Sequence, residues 1–445
     1  MSHRTGWGRG AVVVALSLLI LGLATCGAGG PAVSHLGQRA FLSDDLDGTL
    51  HIENAATDQE SGFTIITGPQ PGKIVLSPDK TISLVFNAAA LTLSVVSNST
   101  EASLGSVVLP NVSTSYAALS GNITGFAAVP NCPPASCGGF TDVVEVVDLA
   151  TTFNITNTVN TALDPNSGLD VPLNTAATLA LSPTDSKLLL FGGPADHQNA
   201  FTVIDTGQAM TTPSTAGTLM SGAAFDRPIW AVFSSDGTKA FVLSCGAECG
   251  GAAAGITMLD LTTTPPTVGT HVALPAASFA LLSGNTMYVA GTPPSQPAGF
   301  CPATLTPCGT LSVLDITNLA AGASSSVPIS DGFHSVMALA SNNKLFIGAG
   351  PNCTHGCLTI FDISSKQAGV DGITGNVAGI APINNRTVVY VVEDVAAQSF
   401  HCQSQSPCRG KLRIYDATAS ATTPTLQPIQ IDVVGKANDV KYVDK

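Results

Sequence analysis

With 445 residues, the chain has material for one large domain or two or three ordinary ones. Only 11% of residues are charged and 5% aromatic, while small and hydroxylated residues abound, which suits β-structure with tight turns better than helices. A formal net charge of −13 excludes nucleic acid as a partner, because binding there depends on neutralising phosphates.

In chain order, the first element is an address. Arg4 and Arg9 precede an apolar run from Ala11 to Ala24, which is short for a membrane span and ends at Leu23-Ala24-Thr25-Cys26. This resembles the bacterial lipobox, where a Leu three residues before a Cys directs lipidation of that Cys and cleavage ahead of it. Thr25 departs from the small residue preferred there, so ordinary signal cleavage is the alternative. The expected division is a signal peptide over 1–25, lipidated Cys26 with a Gly- and Ala-rich tether over 26–38, and a folded unit over 39–445. The location that follows is the bacterial cell envelope, lipid-anchored and facing the periplasm or the exterior.

Next comes Asp44-Asp45-Leu46-Asp47-Gly48, a fragment of a calcium-loop pattern that lacks the distal Glu of an EF-hand. A hairpin turn at Asp-Gly accounts for it, and no metal is expected.

From there a repeat of about fifty residues dominates. Its clearest part is an alternating strand ending in Asp: VVEVVD (Val143–Asp148), FTVID (Phe201–Asp205), ITMLD (Ile256–Asp260), LSVLD (Leu311–Asp315), LTIFD (Leu358–Asp362) and LRIYD (Leu412–Asp416). TLHIE (Thr49–Glu53) and LTLSVV (Leu91–Val96) match without the Asp. Period-two alternation means strands with one face buried. Upstream of these lie paired strands joined by turn chemistry, as in IVLSPDKTISLVF from Ile74 and AVFSSDGTKAFVL from Ala231. Four antiparallel strands per repeat, arrayed radially, make a propeller blade.

The phrases Leu181-Ser182-Pro183, Ser235-Asp236-Gly237-Thr238-Lys239 and Val203-Ile204-Asp205 resemble the YVTN-type β-propeller repeats of exported bacterial lipoproteins, in the lactonase-like propeller superfamily. The expectation is an all-β chain forming a single propeller of eight four-stranded blades. Seven is the alternative count, because the outer strands of blades 3 and 6 are weakly marked. The first blade lacks a strand and the C-terminus carries a lone one, DVKYV, so pairing of the two would close the ring and remove an open edge.

Of eleven Cys, one is Cys26 and ten form five close pairs: Cys132 and Cys137, Cys245 and Cys249, Cys301 and Cys308, Cys353 and Cys357, and Cys402 and Cys408. In an exported protein these read as disulfides, each worth roughly 2 kcal/mol by loop-closure entropy. All fall between second and third strands, on the face where the innermost strands begin. Around that channel mouth, Lys73, Asp226, Arg227, His334, Lys436 and Asp439 are the candidate ligand-binding residues, with His334 foremost as a base or ligand.

No nucleophile elbow, phosphate loop, dinucleotide fingerprint, His-Glu-x-x-His or Cys-x-x-Cys-His occurs, and no cofactor is expected. The expected function is a non-enzymatic binding or scaffold module for an envelope protein, glycan or small molecule. The alternative, implied by the resemblance, is a lactonase-like hydrolase with Arg227, His334 and Asp439 as candidate catalytic residues at the channel mouth.

Overall fold

The computed structural model describes residues 33–140, 142–160, 178–192, 199–351, 353–371, 375–394, 410–418, 425–433 and 435–444. Residues 1–25, read from the sequence as a signal peptide, lie outside them, as do Cys26, Cys402 and Cys408.

Each Asp-ended segment is the third strand of a four-stranded antiparallel sheet, and eight such sheets form a β-propeller. Strands run from the axis outward in chain order in blades 2 to 8. Blade 1 takes its innermost strand from the C-terminus: Ala437–Tyr442 pairs with Arg39–Asp44, setting Ala40 against Tyr442 and Leu42 against Val440. The weakly marked outer strands are Ile155–Asn160 in blade 3 and Ser325–Ile329 in blade 6, so the count is eight.

The closure is clamped by charge. Arg39 pairs with Asp444 near the C-terminus and, at 2.9 Å, with Glu101 of blade 2. Residues leading into blade 1 are docked there too. Ser34 donates from its hydroxyl and amide to Glu101, and Leu36 packs against the apolar layer between blades 1 and 2. Across the other seam, Arg386 of blade 8 grips Asp58 of blade 1 with two bonds of 2.6 and 2.7 Å, and Tyr390 donates to the same carboxylate at 2.8 Å.

The repeat motif has a local purpose. In the hairpin after the innermost strand of blade 2, the Ser77 hydroxyl donates to Asp79 and accepts the Ile82 amide, while Thr81 donates its N–H and hydroxyl to Asp79. Ser234, Asp236, Thr238 and Lys239 repeat this pattern in blade 5. The Asp that ends the third strand in blades 3 to 8 caps the following turn: Asp148, Asp260, Asp315, Asp362 and Asp416 each accept the backbone N–H two residues on, and Asp205 the one three on. Lys187 and Lys344, opening second strands, pair with Asp205 and Asp362 directly across the sheet. The recurrent Asp residues are structural turn caps.

Candidate functional site in the central cavity

The eight innermost strands begin at one face, shared with the loops between second and third strands. Five of them break register at or near their start: Pro71–Leu76, Pro228–Phe233, His334–Ala340, Asn376–Pro382 and Ala437–Tyr442. A bulge twists the strand and re-aims side chains, and here it does so repeatedly around one rim. Lys73, Ile229, Ser335 and Ala378 occupy these irregularities and line a cavity of about 680 Å³ enclosed by the ring of innermost strands.

The cavity has an apolar arc and a charged arc. Trp230 and Phe279 of blades 5 and 6 stack with ring centroids 5.2 Å apart, and Phe333 stands next along the wall. The Cys245–Cys249 disulfide packs with Ile229 behind this wall, against Trp230 and Phe333. In blades 1 to 3, Lys73, Tyr116, Asp439 and Lys441 line the cavity.

Asp439 is 2% exposed and fully engaged. Its carboxylate accepts the Ile74 amide at 3.1 Å and its neighbour's Val440 amide at 2.9 Å, and it pairs with Lys441 at 3.0 Å. Gly379 of blade 8 leaves room for it: a Cβ there would stand 2.4 Å from Asp439 Oδ1. Tyr116 donates its hydroxyl to the Lys73 carbonyl and accepts the Phe86 amide at 3.2 Å, tying the bulge of blade 2 to blade 3. Burial holds this phenol well above its ordinary value.

Lys73 is exposed to solvent where it lines the cavity, with the ring of innermost strands around it. Burial pushes its ammonium below the usual lysine value; Asp439 opposes that shift and Lys441 adds to it. Because Asp439 is already held by Lys441, no carboxylate among the described residues forms an ion pair with Lys73.

His334 contributes wall, not chemistry, to the cavity. The residue is fully buried and both ring nitrogens are sealed from solvent, with the Ser330 backbone near but no well-formed hydrogen bond. Its ring lies by Gly309 of blade 6, where a Cβ would come within 2.9 Å of Cε1. Burial lowers its pKa to about 4, against the smaller opposing pull of the Ser330 backbone and the Asp331 charge. The imidazole is therefore neutral at physiological pH.

Asp226, Arg227 and Lys436 do not line the cavity. Asp226 accepts the Ala252 and Ala253 amides, both at 2.6 Å, and so holds the loop beyond Cys249. Arg227 sits at φ 58° and its carbonyl accepts the Cys245 amide at 2.9 Å. Lys436 donates its backbone N–H to Asp45 at 2.7 Å, with its ammonium 3.9 Å from Asp394. Thus Lys73, His334 and Asp439 meet at the cavity and the other three serve the rim. Trp230, Phe279 and Tyr116 lie on alternating strands, where inward aromatics read as core, while Phe333 and Lys441 carry no signal in the sequence.

Four of the five Cys pairs are described and all four are bonded: Cys132–Cys137, Cys245–Cys249, Cys301–Cys308 and Cys353–Cys357. Each staples a connection between second and third strands. The fifth expected pair, Cys402 and Cys408, lies outside the described residues. Among those residues the structure therefore holds four bridges, where the sequence predicts five over the whole chain.

No family model matches the chain, and no curated protein sequence matches it. Solved structures do. The dihydro-heme d1 dehydrogenase NirN in complex with DHE is similar over 95% of this chain and 78% of its own, with TM-score 0.63 and 12% identity. A eukaryotic initiation factor is similar over 91% of this chain and 98% of its own, with TM-score 0.52 and 11% identity. At these identities the likeness concerns the propeller fold alone.

Proposed function

We propose that this protein is an exported, envelope-attached binding propeller whose central cavity takes a small organic acid with an apolar or aromatic body. The observation that carries the reading is Lys73, an ammonium held in a protein-lined cavity without an ion-pair partner, facing an arc of Trp230, Phe279 and Phe333. The Lys73 ammonium is exposed to the water of the cavity and has no carboxylate of its own to leave, so a ligand anion entering the cavity meets it directly. Few convergent polar groups in a mostly apolar concavity is the usual make-up of a small-molecule site. The Cys245–Cys249 staple behind the aromatic arc holds it in place before binding, which lowers the ordering cost. The size of the cavity, about 680 Å³, favours a small molecule over a protein or glycan. Four disulfides support an oxidising location, and the lipobox-like segment supports attachment through Cys26.

Hydrolysis is less well supported. A lactonase needs a base and a polarising cation at one point. The His334 nitrogens are sealed, Asp439 is saturated, and Arg227 lies outside the cavity lining.

The test uses Trp230, the sole Trp outside the leader. Anilinonaphthalene sulfonate, an aromatic anion, should quench Trp230 emission saturably in a Trp7→Phe background. Lys73→Met should weaken that binding roughly tenfold or more, as a hydrogen bond to a charged group is worth about 1.5–3 kcal/mol. Absence of saturable quenching, or equal affinity in Lys73→Met, would overturn the reading.

A further inference from the structure

In blades 3, 5, 6 and 7 the connection between second and third strands carries a disulfide. The same connection in blade 1 spans residues 44–49 and has no Cys. In its place stand Asp44, Asp47 and, on the following strand, His51. His51 Nε2 lies 3.0 Å from Asp44 Oδ2 and 3.0 Å from Asp47 Oδ2. All three ligand atoms fall within 4.8 Å of one another.

Both carboxylates are oriented by the backbone with one oxygen each. Asp44 Oδ1 accepts the amides of Leu46 and Asp47 at 2.7 and 3.2 Å, and Asp47 Oδ1 accepts the Thr49 amide and hydroxyl at 3.0 and 2.9 Å. That leaves each Oδ2 directed at His51. Asp44 is wholly buried, and no Lys or Arg pairs with either carboxylate among the described residues.

A further feature points to a ligand. Glu60 Oε1 stands 3.9 Å from His51 Nδ1, beyond hydrogen-bond reach but near enough to add a negative charge beside the imidazole. Glu53, two residues from His51 on the same side of the strand, is 1% exposed and its Oε2 has no partner. Asp44, Asp47 and Glu60 gathered around one imidazole leave an excess of negative charge.

We propose that Asp44, Asp47 and His51 bind one divalent transition-metal ion of the zinc type, which staples blade 1 where other blades carry a disulfide. One nitrogen and two carboxylate oxygens suit zinc, whose bonds of about 2.0–2.2 Å set tetrahedral ligands about 3.3 Å apart, so a slight opening of the trio admits the ion. Calcium takes oxygen ligands only and would leave the imidazole unused. Asp47 has 39% of its side chain exposed, which gives the ion an entry path and a fourth position for water.

The experiment is titration of the tag-free, chelator-dialysed full chain with Co²⁺, read by its ligand-field absorption and displaced by Zn²⁺, with thermal unfolding in parallel. The wild type should bind one equivalent, and Zn²⁺ should raise its unfolding midpoint. His51→Gln and Asp47→Asn should lose the absorption band and the Zn²⁺ response. A wild type with no band and no Zn²⁺ response would overturn the proposal, making His51 a protonated bridge between two carboxylates. Unchanged binding in both His51→Gln and Asp47→Asn would overturn it as well.

Discussion

Replacing His334 with Leu should flatten part of the protein's pH–stability profile. In the folded state the imidazole is fully buried, makes no well-formed hydrogen bond, and has its pKa lowered from 6.5 to about 4. The unfolded chain takes up the proton first, so the stability contributed by the neutral ring is full above pH 6.5 and is lost as the pH falls through 6.5 toward 4. A tenfold difference in proton affinity between the folded and unfolded chain is worth about 1.4 kcal/mol, so the loss across that window is about 3 kcal/mol. Leu fills comparable volume without the two unpaired nitrogens. Urea unfolding of both proteins at steps across the window isolates the effect, because every other titration cancels in the difference. The His334→Leu variant should gain on wild type by about 3 kcal/mol between the two ends. A difference that stays constant with pH would refute the argument and mean that the ring is hydrated or paired in solution.

Arg413 and Glu393 form a buried pair at 2.5 Å, so Arg413→Ala should cost about 3–5 kcal/mol in denaturant unfolding, and a Met/Leu double replacement far less. Burial raises Glu393 to about 7 despite Arg413, so this carboxyl's contribution falls as pH climbs from its ordinary range toward 7, a slope that Glu393→Gln should remove. Gly309→Ala would put a Cβ 2.4 Å from the Ser330 carbonyl oxygen and 2.9 Å from His334 Cε1, and should destabilise by about 1–3 kcal/mol in the same assay. Converting Cys245 and Cys249 together to Ser should cost about 2 kcal/mol and red-shift Trp230 emission as its backing loosens. Intact mass of membrane-extracted protein should show a glyceride-lipid adduct on a chain beginning at Cys26, with ten alkylatable thiols, those of Cys402 and Cys408 included, only after reduction. Free thiols in the native protein, or an uncleaved N-terminus, would contradict export as a lipoprotein.

The blades were legible because the motif carries two physical jobs at once. An Asp such as Asp260 ends an alternating strand and caps the next turn, so periodicity and turn chemistry mark the same residue. Outer strands were faint because one side faces solvent: Ile155–Asn160 has a single fully buried position. Closure was readable from a strand missing at one end and left over at the other. The cavity was half legible. Lys73, His334 and Asp439 stand where innermost strands begin, but so do Asp226, Arg227 and Lys436, and position alone cannot say which way a bulged rim turns them. Trp230 and Phe279 were hidden by alternation, which reads an inward aromatic as core. At Asp44–Gly48 a calcium-loop pattern calls for a distal carboxylate, whereas the third group in reach is an imidazole across the hairpin, four residues beyond Asp47.

A crystal structure of the protein with anilinonaphthalene sulfonate would show whether the channel between the innermost strands binds an aromatic acid. The ring system should lie against Trp230 and Phe279 with the sulfonate on Lys73. A cavity filled only by ordered water, with the probe confined to the outer rim of the blades, would contradict the proposed site.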